Sequence, residues 1–147
     1  MVEIFKASNE NLDQLTELAL ALWSNNEKQD LIKSDLIYII GHLSNRVLLA
    51  KSDEDYIGFI HMSIRNGFVE GADTSPVGYV EGIYVKPDFR RKGVAKELYH
   101  AGLEWLRSKK CTQIGADIGI DSNMCPDFYL DIGFKEANRI ICYINNI

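Results

Sequence analysis

The sequence predicts an α/β (α+β) fold in which one mixed sheet carries helices on both faces. Two observations point there. Short strand-like runs alternate with amphipathic stretches in the order β-α-α-β-β-β-α-β-α-β, and one mixed sheet covered on both sides is the simplest packing of that order. The chain has 147 residues, 46% of them hydrophobic, which is enough for one core and leaves little room for a second. A single domain over residues 1–147 is expected.

Each element has a local reason. Val2–Ala7 reads as a first strand. Ser8, Asn9 and Asn11 are capping residues, and Leu12, Leu15, Leu18, Ala19 and Leu22 recur at helical spacing up to Trp23-Ser24. A second helix is predicted over roughly Lys28–Leu43, with Leu31, Ile32, Leu36, Ile39, Ile40 and Leu43 as its stripe. Arg46–Ser52 and Tyr56–Arg65 form a hairpin about the turn Asp53-Glu54-Asp55. Asn66–Val77 is a loop, Gly78–Lys86 a strand, and Pro87-Asp88-Phe89 breaks it. Gly93–Lys109 is an amphipathic helix. Gln113–Ile120 is predicted as a strand, Pro126–Asp131 as a short helix stopped by Gly133, and Phe134–Asn145 as a final strand.

Composition narrows the function classes. Sixteen Lys and Arg against 21 Asp and Glu give a formal charge of −5. An acidic chain is poorly matched to nucleic acid or an anionic membrane and well matched to a cationic partner. With 25% charged and 10% aromatic residues, wholesale disorder is excluded. Cys111, Cys125 and Cys142 show no metal-type spacing with the three histidines, so neither a zinc module nor a disulfide framework is expected. His42, His61 and His100 read as structural or solvated. No apolar run approaches the ~18–20 residues of a spanning helix, and the start Met-Val-Glu-Ile-Phe-Lys lacks a signal-peptide pattern. A cytoplasmic setting is expected.

The most informative segment is Val85-Lys86-Pro87-Asp88-Phe89-Arg90-Arg91-Lys92-Gly93-Val94-Ala95. A strand ends, a basic turn follows, and a helix opens behind a glycine. Free N–H groups at such a helix start attract anions, and glycine lets the backbone approach a phosphate. From the residues alone, a solvated basic turn with a glycine cap fits equally well. Neither the P-loop pattern nor G-x-G-x-x-G is present.

Arg90-Arg91-Lys92-Gly93-Val94-Ala95 resembles the [RQ]-x-x-G-x-[GA] motif of the GCN5-related N-acetyltransferase (GNAT) superfamily. Phe128-Tyr129-Leu130-Asp131-Ile132-Gly133-Phe134 resembles that family's F-Y-x-x-x-G-F element. The run Ser75–Val85, with Trp23-Ser24, Ser63-Ile64-Arg65, Asp117 and Asp121, is most similar to the aminoglycoside 6′-N-acetyltransferases. The resemblance implies the GNAT fold, with a mixed, mostly antiparallel central sheet. It also implies acetyl-CoA as cosubstrate and no metal.

Several roles follow from the resemblance. The pantetheine arm would lie along Ile83, Tyr84 and Val85, pairing with their backbone as an added strand does. The pyrophosphate would rest on Arg91, Lys92, Gly93, Val94, Ala95 and Lys96. Ser122, or Asn123 one residue on, would touch the arm. Tyr129 stands where many relatives carry the proton donor for the leaving sulfur. Trp23, Phe68 and Asn138 match positions that line the aminoglycoside site; relatives tend to have Tyr at the second and Glu at the third.

The residues themselves single out Glu81 and Asp117, carboxylates inside otherwise apolar strands. Alternation places Glu81 on the face of Ile83 and Val85, beside the cofactor arm. Gly82 suggests a bulge that opens the sheet. Two acids at one cleft attract, orient and deprotonate an ammonium group; a hydrogen-bonded structural pair is the plainer reading. Trp23 is either an aromatic wall for a sugar or a core residue at a helix end. Cys125 is read as a small packing thiol.

The expected activity is acetyl transfer from acetyl-CoA to the 6′-amino group of an aminoglycoside by direct attack, in a chain resembling enzymes that are commonly homodimers. The alternative is a GNAT acetyltransferase of another small amine or polyamine. A non-catalytic coenzyme A-binding module is disfavoured, because both the phosphate turn and the strand acids are present.

Overall fold

In the computed structural model, which describes residues 1–23, 29–120 and 126–147, five strands form one sheet in the order β1-β2-β3-β4-β5. They are β1 (Val2–Lys6), β2 (Asn45–Ser52), β3 (Asp55–Arg65), β4 (Val77–Val85) and β5 (Ile114–Ala116). The first four pair antiparallel, and β5 joins β4 in parallel. The parallel step needs a crossover, supplied by α3 (Val94–Ser108).

Helices cover both faces. On one, α3 buries Val94, Leu98, Trp105 and Leu106 against Leu48, Ile60, Met62, Val80, Ile83 and Val85. On the other, α1 (Leu12–Leu22) and α2 (Gln29–Gly41) bury Leu15, Leu18, Ile32 and Leu36 against Val47, Leu49 and Phe59. Ser8 opens the segment before α1 with a reciprocal capping box to Asn11. The short helix α4 (Pro126–Asp131) ends as its sequence predicts. Gly133 has φ +103°, its N–H reaches Leu130 O at 3.1 Å, and that of Phe134 reaches Tyr129 O at 2.9 Å. This is a Schellman closure.

Two expectations fail. The strand predicted over Gln113–Ile120 is formed only at Ile114–Ala116. Leading with Asp117, the chain turns away from β4, because a carboxylate and the following Gly119 do not favour a sheet interior. The final strand predicted over Phe134–Asn145 is absent. Strand-like composition gives no strand without a partner edge, and residues 139–147 lie exposed in a single copy of the chain. No helix among the described residues is long and apolar enough to cross a membrane.

Candidate active site

The site begins with an interruption in β4. Its pairing with β3 slips between His61 and Met62, so Glu81 has no counterpart across the ladder. This is the bulge that Gly82 suggested. It reverses one expectation. Val80, Ile83 and Val85 pack on the α3 side, whereas a Cβ on Gly82 would point at Trp23 and Leu22 of the α1 side. Glu81 lies with Ser63, Arg65 and Tyr79, not beside Ile83 and Val85, because the extra residue breaks the two-residue alternation.

The second interruption is between β4 and β5. Their pairing covers only Gly78–Val80. Beyond Val80, β4 has no β5 partner among the described residues, and the two backbones part. A cavity of about 270 Å³ opens there, lined by Leu22, Trp23, Val80, Glu81, Gly82, Asp117, Ile118, Gly119 and Tyr129. Trp23, Glu81, Asp117 and Tyr129, far apart in sequence, thus meet at one opening. Phe68 is 86% exposed and does not line it. Nor does Asn138, which is exposed and donates to Glu70 Oε1 at 2.7 Å. Ser122 and Asn123 lie outside the described residues, as do Asp121 and Cys125.

The two acids are held differently. Glu81 Oε1 accepts from Ser63 Oγ at 2.5 Å, Arg65 Nη2 at 2.9 Å and Arg65 Nε at 3.0 Å. Its Oε2 accepts from Arg65 Nη2 at 2.9 Å. The guanidinium balances its charge. Asp117 is exposed, and its Oδ2 accepts from the Tyr79 hydroxyl. The link of Ser63, Arg65 and Tyr79 to the acids is made across strands, and no local spacing in the sequence reports it.

Tyr129 is half-buried, with Phe128 and Phe134 edge-on at 5.3 and 5.2 Å between ring centroids. Burial, and then the negative charge of Asp117, push its phenol up to about 12. It therefore keeps its proton at neutral pH, as a donor must. Burial also pushes the Tyr79 phenol up, reinforced by its bond to Asp117. His61 is buried, its Nε2 2.8 Å from Asn45 Oδ1. Burial lowers it to about 4, against a smaller opposing pull from Glu81, so it is neutral at pH 7; of the two sequence readings, structural or solvated, its burial favours the first.

The basic turn has the form a phosphate requires. Arg91 and Gly93 both take positive φ, +60° and +83°. Gly93 is the N-cap of α3, with no side-chain cap bond. A Cβ on Gly93 would meet nothing within 4 Å. The first-turn N–H groups of α3 have no side-chain cap from Gly93, and they stand at the positive end of the helix. Arg90 is turned back, its Nε donating to Val85 O at 2.7 Å; it braces the turn. This cradle and the unpaired edge of β4 fit the diphosphate and the extended arm of coenzyme A.

An open β4 edge running into a glycine-capped basic helix start defines an acyl-CoA-dependent transferase site, and the chain belongs to the acetyltransferase (GNAT) family, whose model matches residues 12–134. It is 33% identical over 146 residues to an aminoglycoside N(6′)-acetyltransferase type 1 of Acinetobacter haemolyticus, covering 99% of each chain. It is 33% identical over 143 residues to the enzyme of that name from Salmonella typhimurium, covering 97% of each. Among solved structures, AAC(6′)-Iy in complex with the bisubstrate analogue CoA-S-monomethyl-acetylneamine superposes with a TM-score of 0.93 at 31% identity, over 100% of this chain and 99% of that one.

Proposed function

We propose that this chain is an aminoglycoside 6′-N-acetyltransferase, a single N-acetyltransferase domain over residues 1–147 that acetylates the 6′-amine by direct attack. The observation that carries the reading is the meeting of Trp23, Asp117 and Tyr129 at the mouth between β4 and the segment after β5. It lies at the β4 edge that leads into the phosphate cradle. The relatives' activity on aminoglycosides points the same way.

Bound acetyl-CoA supplies an acetyl group activated as a thioester. Arg91, Lys92 and the main chain of Gly93–Lys96 hold its diphosphate, and the β4 backbone over Ile83–Val85 takes its arm. In this reading the N–H of Ile83 stabilises negative charge growing on the thioester oxygen. Asp117 draws the ammonium into the mouth and takes its proton, leaving the amine lone pair free to attack. Trp23 offers a flat face to the sugar ring. As the new C–N bond forms and the C–S bond breaks, Tyr129 gives its proton to the departing sulfur, and the second proton shed by the acetylated nitrogen restores the phenol. Glu81 adds little free charge, because Arg65 balances it.

The functional unit is a homodimer in the cytoplasm, where acetyl-CoA is available. Supporting the dimer, Ile141, Tyr143 and Ile144 are 78%, 89% and 97% exposed in one copy, more apolar surface than a solvated tail needs. A second copy also offers a route to complete the antibiotic site around Phe68 and Asn138.

The test is steady-state release of coenzyme A thiol from acetyl-CoA with kanamycin, neamine, spermidine and putrescine as acceptors. The expected result is a kcat/KM at least a hundredfold higher for the aminoglycosides. Higher values for the polyamines contradict the reading and favour a small-amine acetyltransferase.

A further inference from the structure

Tyr79 lies opposite Gly115 where β4 and β5 pair. It is 7% exposed. A Cβ on Gly115 would sit 3.1 Å from Tyr79 Cε2, so the missing side chain is what lets the ring cross β5. Two residues on, the Tyr79 hydroxyl donates to Asp117 Oδ2. Over the ring, the Arg65 guanidinium carbon stands 3.5 Å from the centroid. That same Arg65 is bound to both oxygens of Glu81. Glu81, Arg65, Tyr79 and Asp117 thus form one unbroken chain of contacts from the end of β3, across β4, to the segment that follows β5.

We infer that Tyr79, clamped by Arg65, is a positioning residue that fixes the Asp117 carboxylate toward the incoming amine. The inference rests on the reading of Asp117 as the acid that receives the amine. Asp117 follows the end of β5 and is exposed, so nothing in the ladder sets its orientation. A single donor to Oδ2 sets it, and among the described residues Oδ1 takes no protein donor. Among the described residues one oxygen is tied, and the proposal gives the other to the substrate. The cation over the ring draws electron density from the phenol and strengthens it as a donor. Glu81 serves in this arrangement as the anchor of Arg65, so the two acids of the site have different tasks.

The experiment compares Tyr79→Phe, Asp117→Asn and the double variant, each as the full-length protein, with kanamycin and acetyl-CoA. Tyr79→Phe keeps the ring and removes only the donor. Its kcat is expected to fall about tenfold, with KM for acetyl-CoA within about twofold of wild type, because the hydroxyl acts on the amine side alone. In the Asp117→Asn background the same change is expected to cost nothing further, since its target is gone. Gly115→Ala retains both groups and crowds the ring; its kcat is expected to drop with acetyl-CoA KM unmoved, and this variant decides the matter if Tyr79→Phe does not fold. The inference is overturned if Tyr79→Phe or, in its absence, Gly115→Ala keeps wild-type kcat while Asp117→Asn is impaired. Independent losses that multiply in the double variant overturn it too. Wild-type turnover by Asp117→Asn removes the underlying reading of the acid itself.

Discussion

Trp23 occupies the space that a side chain on Gly82 would need: a Cβ there would lie 2.5 Å from Trp23 Cζ2 and 3.0 Å from Leu22 Cδ2. The bulged strand and the end of α1 therefore shape the cavity together. Gly82→Ala is expected to push the indole out of place, raising KM for kanamycin about tenfold and costing ~1–3 kcal/mol of stability through overpacking. Kinetics with both substrates, alongside urea unfolding, check this; an unchanged kanamycin KM would mean that the indole does not contact substrate.

Gly93 offers a separate handle on the cofactor side. Because the space around it is open, Gly93→Val meets no protein atom at Cβ, and the folded chain pays mainly for φ of +83°, about 1–2 kcal/mol. A diphosphate in the cradle would meet the new side chain directly. KM for acetyl-CoA is expected to rise at least tenfold, with little change in KM for kanamycin. Isothermal titration with coenzyme A gives the same comparison without turnover.

The phenol of Tyr129, protonated up to about pH 12, is expected to act as donor throughout the neutral range. Tyr129→Phe is expected to lower kcat by about two orders of magnitude or more, and the loss should be smaller for acyl donors whose thiol is more acidic. An equal loss with every donor would assign Tyr129 to packing.

His61 links the site's scaffold to pH. Its folded pKa, about 4, lies below the unfolded value of 6.5. Stability is full above 6.5 and declines as pH falls toward 4, since the unfolded chain binds the proton first. At pH 5 the loss is about 2 kcal/mol relative to pH 7. Urea unfolding at both values, for wild type and His61→Gln, is expected to show this component missing in the variant.

Much of this was legible in the sequence, and the failures have physical causes. The β2–β3 hairpin and α3 were readable because a tight turn or a long apolar stripe is local information. The basic turn was readable because a glycine at positive φ leaves a mark in the chain. The face of Glu81 is not legible, because alternation holds only until a bulge and Gly82 marks a bulge without saying which residue is extra. The absence of the last strand is not legible, because β-propensity at Ile140–Ile144 describes what a segment favours when an edge is offered. The roles of Arg65 and Tyr79 are not legible, because their contacts join segments distant in sequence.

The apolar tail carries its own prediction. Ile141→Asp with Ile144→Asp is expected to shift the protein from dimer to monomer in light scattering, with acetyl-CoA binding retained. A wild-type dimer in that variant would place the interface elsewhere.

The most direct measurement is the fate of the acetyl group. The protein is incubated with acetyl-CoA alone and its intact mass taken, then kanamycin is added and the product mapped by NMR. Direct attack predicts an unmodified protein mass in the first step and a single acetyl group on the 6′-nitrogen in the second. A protein gaining one acetyl before the amine arrives, or a product acetylated at another nitrogen, would contradict the account.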